Sequence, residues 1–432
     1  MTKPTFDLDS FPTFGKSVRD FGATGTGESD DWSAFQRALN SGHQRLIVPP
    51  GVYRIGQTLH IGSGTHLRLH PAAQIRLADG AGVHNHIFLL TNRDPEKGDR
   101  DICVEGGIWD GNNRHNPRGD DQPQAYTGVM LHFSHVTNLT LRDMTLRDPE
   151  SYYIRIGKTR RFRVEDIRFQ ARSIRPNQDG VHLGGFCEDG IIQNLSGVGA
   201  SVPSDDVVAL NADDANDRAQ NLGMVCGWIR RIQIRRIHAE DCHTFVRLLS
   251  VQSAIEDILI EDVSGGCQVA AINMDACREC RVKLFDPSDS VFANGVGNLA
   301  RIEARNLHVY KSKIGQHKPL IDFRSLANAL TIENLQRDLA RDAAPETPTI
   351  RASDIPGSLL FLDGLTEAQA RALQETSDTH PMRLRFLRST DWDTQTPLLR
   401  AEATLEAGQQ LTLPFGGFRH LSAVRPPAKP VD

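Results

Sequence analysis

The chain has 432 residues, 24% of them charged and 39% hydrophobic, the composition of an ordinary globular protein. Lys and Arg number 49 against 54 Asp and Glu, a formal net charge of −5, so the basic face of a nucleic-acid partner is not expected. No stretch approaches the ~20 apolar residues of a membrane-spanning helix, and 36 glycines with 22 prolines exclude collagen-like and low-complexity classes.

Residues 1–14 lack an apolar core segment, do not read as a secretory leader, and give the expectation of a cytoplasmic protein. Ser29, Asp30 and Asp31 form an N-cap cluster. Trp32, Phe35, Ala38 and Leu39 follow at helical spacing and predict an N-terminal capping helix. Trp109 and Asp110, with Asn112 and Asn113, are candidates to line a sugar subsite, or a turn stack.

From residue 138 a repeat dominates: an apolar-x-apolar pair, a short gap, then a second pair. It occurs at 138–146, 161–169, 231–239, 257–263, 301–309 and 329–335, with an irregular copy at 190–195. Period-two alternation predicts strands, and coils of this length leave no room for the crossover helix of a βαβ unit. The economical solution is all-β: a right-handed parallel β-helix, a solenoid whose ends need caps. The repeat fades after about residue 340. The expected division is a β-helix catalytic domain over 1–340 and, over 341–432, a small β-rich appendage that caps the helix or forms a subunit contact in a homo-oligomer. A short helix is expected over 365–376.

Seven cysteines (Cys103, Cys187, Cys226, Cys242, Cys267, Cys277 and Cys280) are a poor disulfide framework. The pair Cys277 and Cys280 lacks a second pair to complete a zinc site, and neither metal nor cofactor is expected.

Between repeat copies lies a second, more polar strand type: 153–156, 177–183, 204–210, 242–248 and 269–274. Equal phase in a β-helix stacks such strands about 4.8 Å apart. Asp179, Asp205, Asp206 and His243 should then form one polar patch. Carboxylates held that close do not all ionise freely, and a raised pKa suits a general acid. Paired carboxyls in a groove fit glycoside hydrolysis on an oligo- or polysaccharide. Asp179 read alone is a turn residue, and Asp205–Asp206 alone a solvated bend. The acidic run 211–217 holds oxygen ligands for calcium, but lacks the glycine and terminal glutamate of an EF-hand and reads as a solvated loop.

Residues 20–31 with 47–53 resemble the opening of β-helical polysaccharide hydrolases and lyases. Residues 106–112, Asn177–Gln178–Asp179, Asp205–Asp206 and Cys242–His243–Thr244 resemble, in order, segments of the polygalacturonase-type glycoside hydrolases. The resemblance covers roughly residues 17–340. It implies inverting hydrolysis, with Asp205 or Asp206 as acid, the remaining aspartates (Asp179 among them) handling water, and His243 tuning the acid. Asn177 would sit with them at the substrate.

Two departures matter. The family's substrate-gripping cations should fall near Asn273, where there is none, so polygalacturonate is not the expected substrate unless Arg175, Arg247 or Arg278 substitutes. Cys242 and Thr244 replace the glycines flanking the family's histidine. Residues 211–226 lengthen the connection to His243 and are expected to form a loop over the groove, which could close it into an exo-acting pocket. A polysaccharide lyase, a transglycosylase and a non-catalytic glycan-binding protein are the rival functions.

Overall fold

In each repeat one residue between the two apolar pairs takes the left-handed backbone conformation. Asp143, Asp166, Asn194, Arg236, Asp262, Asn306 and Asn334 have φ between 50° and 58°. A strand alternates faces with period two. One left-handed residue bends the chain and shifts that parity, so apolar positions i and i+2 continue at i+5 and i+7, all pointing inward. Asn and Asp reach this conformation at least cost, which is why short polar residues recur at the corner.

The computed structural model describes residues 15–119, 124–216, 218–275, 284–313, 318–379, 383–390, 397–414 and 416–425. The repeats form a parallel stack in unbroken register. Leu139 lies on Phe162, then Gly190, Ile232, Ile258, Ile302 and Leu330 in successive coils. Beyond the corner, Met144, Ile167, Leu195, Ile237, Val263, Leu307 and Leu335 form a second ladder. Both ladders feed one continuous apolar core that runs the length of the solenoid, and each buried aliphatic contributes about 1.5–3 kcal/mol. This is the expected parallel β-helix.

The polar strands form the third sheet. Its inward row is Leu90, Leu131, Ile154, Val181, Val208, Val246, Ile272, Ile321 and Ile350, all buried. Its outward row carries His132, Arg155, His182, Ala209, Arg247, Asn273, Asp322 and Arg351. In two coils the second and third sheets run on without a loop, as Ile229–Leu249 and Ile255–Met274. Their pairing slips between Ala239 and Thr244, so His243 follows its repeat more closely than the aspartates follow theirs.

The helix Trp32–Asn40 forms as expected and buries Ala34, Phe35, Ala38 and Leu39. Its N-cap is Asp31, within the expected cluster. Asp30 accepts the Trp32 N–H at 2.9 Å, while Asp31 accepts from the Thr24 and Gly25 backbone and pins the preceding turn. Parallel pairing extends past residue 340 to Ile350–Ser353. The repeat is masked there because the coil closes on a buried ion pair, Arg337 Nε to Asp342 at 2.7 Å, in place of an apolar inward residue. Strands Gln410–Leu413 and Gly417–Val424 then pair antiparallel with the last coils, and Leu359–Leu365 and Pro397–Thr404 extend that antiparallel sheet. The helix between them is Glu367–Thr379. Cys277, Arg278 and Cys280 lie outside the described residues.

Candidate active site

Four of the sequence-predicted residues come together where strands enter the third sheet on three successive coils. Asp179 precedes strand Val181–Leu183, Asp205 and Asp206 open Asp206–Asn211, and His243 sits at the slipped corner of Ile229–Leu249. Oxygens of Asp205 and Asp206 and a ring nitrogen of His243 lie within 4.8 Å of one another. Asp205 Oδ1 is 3.4 Å from His243 Nδ1, and both side chains are partly open, at 23% and 30%. The Asn177 amide donates to Asp205 Oδ2 at 3.2 Å. Asp206 and Asp179 are buried behind them, 2% and 3% exposed.

Burial first, then the charge of Asp205, pushes the Asp179 carboxyl well above the usual carboxylate range. Burial lowers His243, with the Asp205 carboxylate opposing it. The proton expected to reside somewhere in the patch is therefore favoured on Asp179, which is not the residue the resemblance singles out as acid.

Asp179 has a partner that the sequence reading did not single out. Its Oδ2 is 2.6 Å from His182 Nδ1. His182 is 1% exposed, stacks on Tyr152 at 4.1 Å between ring centroids, and turns Nε2 toward Asp214 Oδ2 at 3.7 Å. Burial lowers His182 to about 4. Its signal was the alternation of the strand itself: Val181 and Leu183 are the apolar inward pair, which leaves His182 between them on the outward face. Asp214 and Tyr152 arrive from distant segments and left no such trace.

Arg247 lies in the outward row between Ala209 and Asn273, and its charge acts on Asp179, His182 and His243. Asn273, 7% exposed, stands next to it. Arg175 borders the site through its backbone, whose carbonyl accepts the Ser204 hydroxyl. Its guanidinium, however, is committed to Glu150 at 2.9 Å.

Asp110 is not brought to this patch. It is fully buried and bound by Arg147 at 3.0 Å, Arg172 at 2.9 Å and Gln74 at 3.1 Å, because Arg147 stacks directly on it in the next coil. Asn112 and Asn113 donate to backbone carbonyls of Leu77, Pro149 and Ser173, the turn-stack alternative. The acidic run after Asn211 is not a solvated loop either. Asp213 Oδ2 accepts three backbone N–H groups, from Val251, Gln252 and Ser253, at 2.7–2.8 Å. Asp214 accepts the amides of Asn211 and Asn216. Buried carboxylates need such donors.

Among the described residues, His66, Cys103 and Glu105 also cluster within metal-ligand distance. Arg68 and Arg142 already hold Glu105, at 3.0 and 2.8 Å, which disfavours a cation there.

The model of the rhamnogalacturonase A/epimerase, pectate lyase-like family matches residues 16–266. A probable polygalacturonase of Arabidopsis thaliana is 21% identical over 391 residues, 87% of this chain and 76% of that protein. The plasmin and fibronectin-binding protein A of Streptococcus pneumoniae is 27% identical over 176 residues, 37% of this chain. This chain spans 24% of that protein's length, and 13% of the length of the preneck appendage protein of Bacillus phage PZA, which is 31% identical over 114 residues. The structure of the Yersinia enterocolitica family 28 exopolygalacturonase is similar in fold, with a TM-score of 0.50 and 14% identity over 74% of this chain and 70% of that one.

Proposed function

We propose that this chain, which belongs to the rhamnogalacturonase A/epimerase, pectate lyase-like family, is a glycoside hydrolase that cleaves an oligo- or polysaccharide by carboxylate catalysis with inversion. The observation that carries the reading is the meeting of Asp205, Asp206 and His243 within 4.8 Å, against the buried Asp179. Asp205 is the most exposed of the three carboxyls and, with His243 3.4 Å away, is the one placed to meet the leaving oxygen as general acid. Asp206 takes a proton from water. Asp179, kept neutral by burial, holds a third negative charge out of the site.

Asn273 occupies the place where a uronate-gripping cation was expected, and supports a neutral sugar at that position. One observation favours a second reading: Arg247 is Asn273's neighbour in the same outward row, which keeps a cation beside the expected place for an acidic sugar. Reducing-end release by the wild type, Asp205→Asn and Asp206→Asn decides between them on polygalacturonate and a panel of neutral oligosaccharides. Activity on a neutral glycan that both variants lose supports the hydrolase and the meaning of Asn273. Activity on polygalacturonate that Arg247→Ala loses assigns the anion to Arg247. Release unaffected by either variant contradicts the proposal, and an unsaturated product would mark a lyase.

A further inference from the structure

An open groove that binds the middle of a polysaccharide must leave the outward row of the third sheet accessible on both sides of the carboxylates. Here one side is covered. On the coils before Asp205, Arg155 and His182 are 2% and 1% exposed although they point outward. A small apolar cluster separate from the main core, made of Phe88, Val129 and Tyr152, lies over them. Tyr152 stacks on His182, Phe88 packs on His132 at 4.8 Å, and Arg155 lies over the Phe88 ring.

The connection following Asn211 is fastened over this cluster by buried polar contacts. The Tyr152 hydroxyl donates to Asn221 Oδ1 at 2.6 Å, and the Arg155 guanidinium donates to the Gln220 carbonyl. Asn221 in turn donates to the Asp214 carbonyl at 2.7 Å, and Asp213 anchors the base of the loop to Val251, Gln252 and Ser253. Gln220 reaches Asn177, which itself holds Asp205. The covering therefore stands against the candidate site itself. His182 pairs with Ala209, so the cover begins one strand, about 4.8 Å, from the strand that Asp206 opens. Opening it would strip Arg155, His182, Tyr152 and Asn221 of these buried partners together, and each polar group so orphaned carries its own desolvation penalty. It is a fixed wall rather than a lid.

We infer that Tyr152, His182 and the Gln220–Asn221 segment form an end wall, so that the site accepts the terminus of a saccharide chain and cuts from that end. The inference rests on the proposed hydrolase reading and adds its mode of action. A chain crossing the carboxylates would have to pass through the Tyr152–His182 stack, whereas a chain end needs subsites on the open side only.

The test uses hexasaccharides of galacturonate and of neutral galactose, with free ends and with both ends chemically blocked. Cleavage is followed with the wild type, and binding by calorimetry with Asp205→Asn. The expected result is stepwise shortening of free-ended substrate from one terminus, with at least a tenfold weaker response to the blocked form. Tyr152→Ala, and the milder Asn221→Ala if the first does not fold, should restore internal cuts or acceptance of the blocked form. Internal cleavage by the wild type from the first time point would overturn the wall and leave the hydrolase intact. End-selective binding without cleavage would retain the wall and refute the hydrolase. Neither binding nor cleavage of any probe would overturn both.

Discussion

Replacing Asp179 with Asn should make folding stability steeply sensitive to acid. In the folded chain burial favours the neutral carboxyl on Asp179 and the neutral imidazole on His182, with Oδ2 and Nδ1 2.6 Å apart. In the unfolded chain, between about pH 4 and pH 6.5, the aspartate is ionised and the histidine charged. While Asp179 keeps its proton, the pair binds one proton in either state and contributes little slope. The Asp179→Asn change removes the carboxyl half and keeps an oxygen to accept from Nδ1–H. His182 then stands alone, lowered from 6.5 to about 4 chiefly by its burial, a cause the substitution leaves in place. A histidine neutral when folded and charged when unfolded lets the unfolded state bind more protons, so stability falls as pH drops below 6.5, until the folded form also protonates near pH 4. At ~1.4 kcal/mol per unit, that window amounts to about 3 kcal/mol relative to the wild type. Urea unfolding of both proteins at several pH values between about 7 and 4.5 measures it. Parallel stability profiles would refute the proton exchange between Asp179 and His182.

Three further outcomes follow from the packing. Gly265→Ala should cost ~3 kcal/mol or more or prevent folding, because its φ is +113° and the new Cβ would lie 1.9 Å from the Ala239 carbonyl of the preceding coil; a thermal midpoint near wild type would contradict this register. Asp213→Ala should lower stability by ~2–4 kcal/mol by orphaning three N–H groups, with faster amide exchange at Val251 and Ser253, and unchanged exchange there would show the anchor to be dispensable. Asp110→Ala should cost ~3–5 kcal/mol, since Arg147 and Arg172 converge on one buried carboxylate; a change below ~1 kcal/mol in denaturant unfolding would show that these cations find other partners.

The solenoid was legible because its rule is local. A left-handed corner shifts strand parity once per copy, and the chain writes that shift as two apolar pairs separated by a polar corner, from Leu139–Leu146 to Leu330–Leu335. The coil phase that brings Asp179, Asp205, Asp206 and His243 together was readable for the same reason. Asp110 was misplaced because nothing within its own segment announces that Arg147, 37 residues on, will stack over it. Asp213 and Asp214 were misread because buried and solvated carboxylates look alike in sequence, and only the arrival of Val251–Ser253 at Asp213 and of His182 at Asp214 distinguishes them. The wall escaped notice as a structure of named residues because Tyr152 and Asn221 are 69 positions apart. The end of the parallel stack was set too early because Arg337 fills an inward position with a charge, neutralised by Asp342, where an apolar residue would have continued the pattern.

On the proposed mechanism Asp205 and Asp206 add water across a glycosidic bond. This step is tested most directly by running the reaction in water labelled with heavy oxygen and weighing the products. One labelled oxygen at the new reducing end per cut, lost in Asp205→Asn and Asp206→Asn, is the predicted result. Cleaved products without label, or a converted sugar with no bond broken, would contradict the account and make the same groove that of a lyase or an epimerase.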